Sequence, residues 1–213
     1  MVRSVDTVGA YWGPRRENAT QCAARLQAYL AALAGLGAPF EQWYLKGANR
    51  RTAEAAAGVA AMDRSGLTAL LESRRNRDDV SGQPIEDLGF RLALWNRLPD
   101  ETAIGINITC GLYETRGRLS NAVVMTLPPP STLLPCDSDD LLSQLLLAHV
   151  RSWEPDWVAA FAVSSESTQR GRAGGPFLDR MLWLKEGAVS EEVGGASTRR
   201  VPIEQGVLLV CAD

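Results

Sequence analysis

The sequence predicts an α+β fold: a mixed, largely antiparallel sheet with helices packed against it, in one domain covering residues 1–213. Three patterns carry that expectation. Ile104, Ile106, Ile108 and Cys110 alternate with Gly105, Asn107 and Thr109, the period of two of a strand buried on one face. Cys22, Leu26, Tyr29, Leu30 and Leu33 recur at the spacing of a helix with one apolar face. Trp157–Val163 is apolar on both faces, as expected of a central strand covered on both sides. Strands come partly as hairpins and partly after helices, which is the α+β pattern.

Taken in order, Thr7–Trp12 (TVGAYW) is a strand rich in β-branched and aromatic residues, closed by Gly13-Pro14. Asn18 and Gln21 have the spacing of a capping box at the start of the first helix, and Gly35 and Gly37 end it. Phe40–Leu45 is compatible with a short strand or an irregular aromatic segment, and GANRRTAEAAAG (47–58) reads as a polar loop running into alanine-rich helix. Ser65 is placed to cap a second helix through Leu67, Leu70 and Leu71, followed by a charged surface run, Glu72–Asp79. Leu88–Asn96 reads as a strand with Phe90, Leu92 and Leu94 on one face. Asn121–Leu127 is the antiparallel partner of the Ile104–Cys110 strand, with Thr115-Arg116-Gly117 as the turn. Beyond Pro128–Pro130, Asp137 or Ser138 caps a helix carrying Leu141, Leu142, Leu145, Leu146 and Val150. Two more strands are expected, Phe177–Leu184 and Gly206–Cys211, separated by a loop containing Gly194-Gly195.

With 213 residues and 46% hydrophobic content, the chain can bury a sizeable core. Its longest apolar stretches fall short of the roughly 20 residues that span a bilayer, so no membrane segment is expected. The start, MVRSVDTVGAYWG, lacks the apolar core of a signal peptide, which predicts a cytoplasmic location. The net charge of −3 is unevenly spread: residues 1–77 carry 11 Lys or Arg against 6 Asp or Glu, and the remainder 11 against 19. An acidic face of this kind steers basic partners and repels nucleic acid, so no direct nucleic-acid contact is expected.

No complete catalytic constellation emerges. His149 is the only histidine, and it lies inside a leucine-rich helix, where a structural or surface role is expected. Cys22, Cys110, Cys136 and Cys211 are scattered, without the close pairing of a zinc or redox site, and read as free buried thiols. Asp137, Asp139 and Asp140 are close enough to bind a hard cation but lack calcium-loop spacing, so they read as helix-capping carboxylates at the positive end of the dipole. Neither GxxxxGK[ST] nor GxGxxG occurs, and Arg50-Arg51 and Arg74-Arg75-Arg77 have no nucleic-acid-binding motif around them. The expectation is a non-enzyme without cofactor or metal. Two other readings stay open: a small enzyme using carboxylates in a cleft, and an adaptor subunit of a secretion or phage-like assembly.

Tyr11-Trp12-Gly13-Pro14-Arg15-Arg16 combines two large aromatics at a strand end with a rigid turn and two guanidinium groups. Tyr, Trp and Arg are the residue types most enriched in binding hot spots, although the same residues serve equally well as a packed strand terminus. GAYWGPRRE, the helix with C-A-x-R-L after it, and F-x-x-W-Y-x-K-G (Phe40–Gly47) together resemble the immunity protein 52 family of bacterial polymorphic toxin systems. The likeness is strongest over Val8–Gly47 and continues more loosely to the terminal strands; Leu178–Leu184 is less glycine-rich and aromatic than the family pattern. It implies an antitoxin of a polymorphic toxin or type VI secretion effector system, neutralising a cognate toxin in a stoichiometric complex. The implied toxin is a nuclease of restriction-endonuclease-like fold. Tyr11, Trp12, Arg15 and Trp43 are then the expected contact or scaffold residues, and Asp137, Asp139 and Asp140 the expected acidic contacts. The oligomeric state of the free protein stays open, a monomer being one option.

Overall fold

The computed structural model describes residues 5–47, 58–114, 120–128, 139–164, 175–187 and 198–211. Its strands are β1 (Thr7–Trp12), β2 (Tyr44–Leu45), β3 (Phe90–Trp95), β4 (Gly105–Cys110), β5 (Asn121–Thr126), β6 (Trp157–Phe161), β7 (Met181–Lys185), β8 (Thr198–Ile203) and β9 (Gly206–Cys211); its helices are α1 (Ala19–Ala34), α2 (Arg64–Ser73) and α3 (Asp139–Trp153). All nine strands join one sheet, ordered β2-β3-β4-β5-β1-β6-β7-β9-β8. Every pairing is antiparallel, so the largely antiparallel sheet expected from sequence is antiparallel throughout the described residues. The α+β expectation is borne out.

The first strand in sequence is the middle strand in space, hydrogen-bonded to β5 on one side and β6 on the other. Its alternation sorts the molecule into two faces. Val8, Ala10 and Trp12 point toward the helices and are buried, as are Val123 and Met125 of β5 and Ile106, Ile108 and Cys110 of β4. On the opposite face, Phe161, Leu182, Leu184 and Leu209 form a smaller cluster under Phe177, whose ring meets Phe161 edge-on at 5.0 Å. This second cover lies over β6, β7 and β9. Over β3, β4 and β5, the same face has Arg91 and Asn107 exposed and Ala93, Trp95 and Val124 half-buried.

Several local expectations hold, and others are corrected. Asn18 Oδ1 accepts from Gln21 N and Gln21 Oε1 accepts from Asn18 N, both at 2.9 Å, closing the capping box. The second helix is capped by Asp63 rather than Ser65: its carboxylate accepts from Gly66 N at 2.7 Å and from the Ser65 hydroxyl at 2.8 Å. A charged acceptor outcompetes a hydroxyl for the helix N-terminus, and the Gly66 N–H in turn holds the Asp63 carboxyl below its usual range. Of Phe40–Leu45, only Tyr44–Leu45 is strand. The Phe177–Leu184 strand begins at Met181, because Asp179 turns back to accept from Ala162 N at 2.9 Å. Strand β8 was not expected at all; TRRVPI carries two exposed arginines and a proline, features that suit an edge strand and obscure the alternation. The alanine-rich stretch at 48–57, the turn at 115–117, the caps Asp137 and Ser138, Cys136 and the loop at Gly194-Gly195 fall outside the described residues.

His149 is structural, as its setting in the leucine-rich helix suggests. It is fully buried between α3 and α1, with Nδ1 2.8 Å from Leu145 O and Nε2 2.8 Å from the Tyr29 hydroxyl. The distances fit a neutral ring donating from Nδ1 to the carbonyl and accepting from Tyr29. Burial lowers the His149 pKa to about 4. Because the folded value lies below the unfolded value of about 6.5, the stabilisation is fully present above that value and is lost as the pH falls through the window toward about 4. Unfolding titrations should show a loss of about 2 kcal/mol between about pH 7 and about pH 5, and His149→Gln should flatten that slope; an unchanged slope in the variant contradicts this account.

Candidate partner-binding surface

The Tyr11–Glu17 segment is where the central strand leaves the sheet, and its polar groups turn inward. Trp12 is 3% exposed and stacks on Trp153 at the end of α3, with ring centroids 5.7 Å apart. Tyr11, on the other face, lies back over Gly9 and stacks on Trp157 at 4.3 Å; a Cβ at Gly9 would stand 2.5 Å from the Tyr11 hydroxyl, so glycine makes that pose possible. The turn is then tied down from three sides. Gly13 N donates to Asp156 Oδ2 at 2.9 Å, Asn121 Nδ2 donates to Gly13 O at 2.8 Å, and Arg15 N donates to Leu112 O at 2.8 Å. Gly111, at φ +70°, packs against Glu17 O and closes the same corner.

Two arginines then close over the C-terminus of α3, whose last carbonyls have no helical partner. Arg15 Nη2 donates to Trp153 O at 2.8 Å and Arg25 Nη1 donates to Ser152 O at 3.2 Å. Between them lies Glu17, its side chain 7% exposed, 2.6 Å from Arg25 Nε and 3.1 Å from Arg15 Nε. Positive charge at the negative end of the helix dipole is favourable, and the shared carboxylate neutralises the two guanidinium groups it joins. Arg25 also pairs with Glu154 at 3.2 Å and holds that carboxyl below its usual range. Pro14 and Arg16 remain exposed, the Arg16 guanidinium lying 5.0 Å from the Tyr113 ring centre.

The residues singled out from sequence therefore do not converge on one patch. Trp43 is fully buried, its indole N–H donating to Phe40 O at 2.9 Å, and Trp12 is buried too, so both contribute to the core. Arg15 faces inward, and Tyr11 is half-buried. Asp139 and Asp140 stand at the start of α3, about 20 Å from the Tyr11–Arg15 turn at its other end. Asp139 is held by Arg180 at 2.7 Å, Asp140 is exposed, and Asp137 lies outside the described residues.

Sequence reasoning missed a cleft of about 860 Å³ at the end of the β3–β4 hairpin, whose lining includes Lys46, Trp95, Arg97, Leu98, Asp100 and Glu101. Asn96 holds its turn in shape: Asn96 Oδ1 accepts from Ile104 N at 3.0 Å and Thr102 N donates to Pro99 O at 2.8 Å. The signal was present, since Trp95-Asn96-Arg97 pairs an aromatic with an arginine at a strand end as Trp12–Arg15 does. Among the described residues, no group of three or more His, Cys, Asp or Glu side chains could hold a metal ion, and no helix is long and apolar enough to cross a membrane.

The architecture defines an α+β protein with helices on one face of an antiparallel sheet. A solved structure described as Pseudomonas aeruginosa T6SS protein PA0821 shares this fold at a TM-score of 0.52 and 8% identity, over 97% of this chain and 68% of that one. No protein of curated function matches the sequence. The chain belongs to the immunity protein 52 family, whose model matches residues 5–210.

If the inward-facing motif holds the fold together, Glu17→Ala should cost about 2–3 kcal/mol, because it leaves two guanidinium groups side by side without their shared carboxylate. Thermal denaturation should record a Tm lower by about 5–10 °C; an unchanged Tm would show the cluster to be surface decoration.

Proposed function

We propose that the protein binds a cognate toxin and neutralises it in a tight, stoichiometric complex, and that the toxin is a nuclease of restriction-endonuclease-like fold from a polymorphic toxin system. The observation that carries this reading is the family match over residues 5–210. The likeness to a T6SS protein supports delivery by type VI secretion as the setting. A nuclease delivered into a competing cell attacks nucleic acid in the cytoplasm, and the inhibitor works where the toxin does.

The charge distribution supports a nuclease as the target. Residues 78–213 carry 19 Asp or Glu against 11 Lys or Arg, and an acidic inhibitor is attracted to the same basic surface that attracts the substrate's phosphates. Neutralisation at cellular concentrations calls for an interface of at least about 1,600 Å² in total. Such a surface exceeds any one loop of this chain and draws on several elements of one end or one face of the sheet.

Co-expression decides the reading. Cells producing the toxin encoded beside this gene should survive when the chain is co-produced, and purified toxin should run with it as a one-to-one complex whose association slows as salt rises. Equal killing with and without the chain contradicts the proposal. Survival combined with a toxin that leaves DNA and RNA intact would retain neutralisation and remove the nuclease.

A further inference from the structure

We infer that the loop of residues 76–89 is the part of the chain that enters the toxin, seating Val80 in an apolar recess rimmed by basic residues. This inference rests on the neutralisation reading and adds the place and the chemistry of contact.

The fold itself does not need this loop. Arg75 already pairs with Phe90, and Arg91 N donates to Arg74 O at 3.2 Å, so residues 76–89 leave the start of β3 and return to it. Excursions of this kind, with their ends side by side and their interior held by their own groups, are frequently functional. Every residue from 77 to 84 is exposed, so the excursion places no side chain of that stretch in the core. Yet it is firmly built. Ile85 N donates to Asn76 O at 2.8 Å and Asn76 Nδ2 to Leu88 O at 2.9 Å, while Asp87 O accepts from Tyr113 N at 2.9 Å. Nearer the tip, Asp78 N donates to Gln83 O and Gly82 N to Asp78 O, both at 2.9 Å. Asp78 Oδ1 accepts from Ser81 N at 2.7 Å and from Val80 N at 3.1 Å. A segment ordered before its partner arrives lowers the ordering cost of binding.

Two features of the tip define what it fits. Val80 is 96% exposed, against 55% for Val163 and 37% for Leu98, the other large apolar side chains exposed among the described residues. A lone exposed valine is ordinary on a protein surface. Here it stands at the apex of a rigid projection, a shape that reaches into a recess and loses its water there. The second feature is charge. Residues 76–89 carry one Arg against four Asp or Glu, and Asp79, beside Val80, is exposed. The Arg77 guanidinium is turned back onto Gly82 O at 3.0 Å, inside the loop. An apolar knob with carboxylates around it complements an apolar recess with cations around it, as on the surface of a protein that binds phosphates.

The test uses the full chain and the purified toxin it protects against, inactivated by substitution. Val80→Ser should weaken binding at least about 10-fold, because the apolar contact is lost. Asp79→Lys should weaken it about 10-fold at low salt and less as salt rises. Replacing residues 77–84 by a two-residue Asn-Gly turn between the hydrogen-bonded Asn76 and Ile85 should weaken binding at least as far as Val80→Ser, with Tm changed by no more than about 2 °C. Arg199→Ala, on β8 at the far edge of the sheet, should bind as the unmodified chain does. If Val80→Ser and the shortened loop bind normally, or if Arg199→Ala weakens binding as much as they do, the loop is not the seat of contact and neutralisation stands without it. Normal binding by Asp79→Lys at low salt would remove the basic rim. If the unmodified chain itself neither protects cells nor binds, both readings fall.

Discussion

Glu17, shared between Arg15 and Arg25 over the end of α3, is the contact on which the arrangement of the molecule depends. It joins the exit of the central strand and the first turns of α1 to the last carbonyls of α3, which lie 127 to 138 residues away in sequence. Each component alone is modest, since a partly exposed ion pair contributes little and a helix-end charge about 0.3–1 kcal/mol. Together they tie the start of α1 and the exit of β1 to the end of α3. Trp12 and Trp153 stack directly beneath, so the same corner is both the polar clasp and the apolar anchor of the helical layer.

That double use explains why the motif reads so strongly in sequence and yet packs against its own chain. Aromatic and guanidinium groups suit a hot spot because each has a large contact area and a polar end, and those properties also suit a buried corner where carbonyls need donors. Sequence leaves the two uses balanced. Burial places Trp12 and Trp43 in the core, and hydrogen bonding turns the Arg15 guanidinium to the α3 carbonyls. Arg16, one residue on, shows the contrast: the chain direction turns it outward onto Tyr113.

Much of the fold was legible because its signals are local. The alternation in Ile104–Cys110, the capping box of α1 and the leucine spacing of α3 each report a neighbourhood of a few residues, and all three elements are in place. What escaped notice depends on contacts across the chain. Strand β8 exists because β9 pairs with it through a two-residue turn at Glu204-Gln205, and its exposed arginines and proline are tolerated only at an edge. The cleft likewise depends on pairing across the chain: the pairing of Tyr44–Leu45 with Leu94–Trp95 brings Lys46 against Ala93, where it joins the cleft's lining. No window along the sequence contains both halves.

The clasped corner at Glu17 thus holds the fold together at the exit of the central strand. Amide hydrogen exchange on Glu17→Ala tests that role most directly. Exchange should be faster over the first turns of α1 and the last turn of α3 than in the unmodified chain. Exchange unchanged over both segments would contradict it.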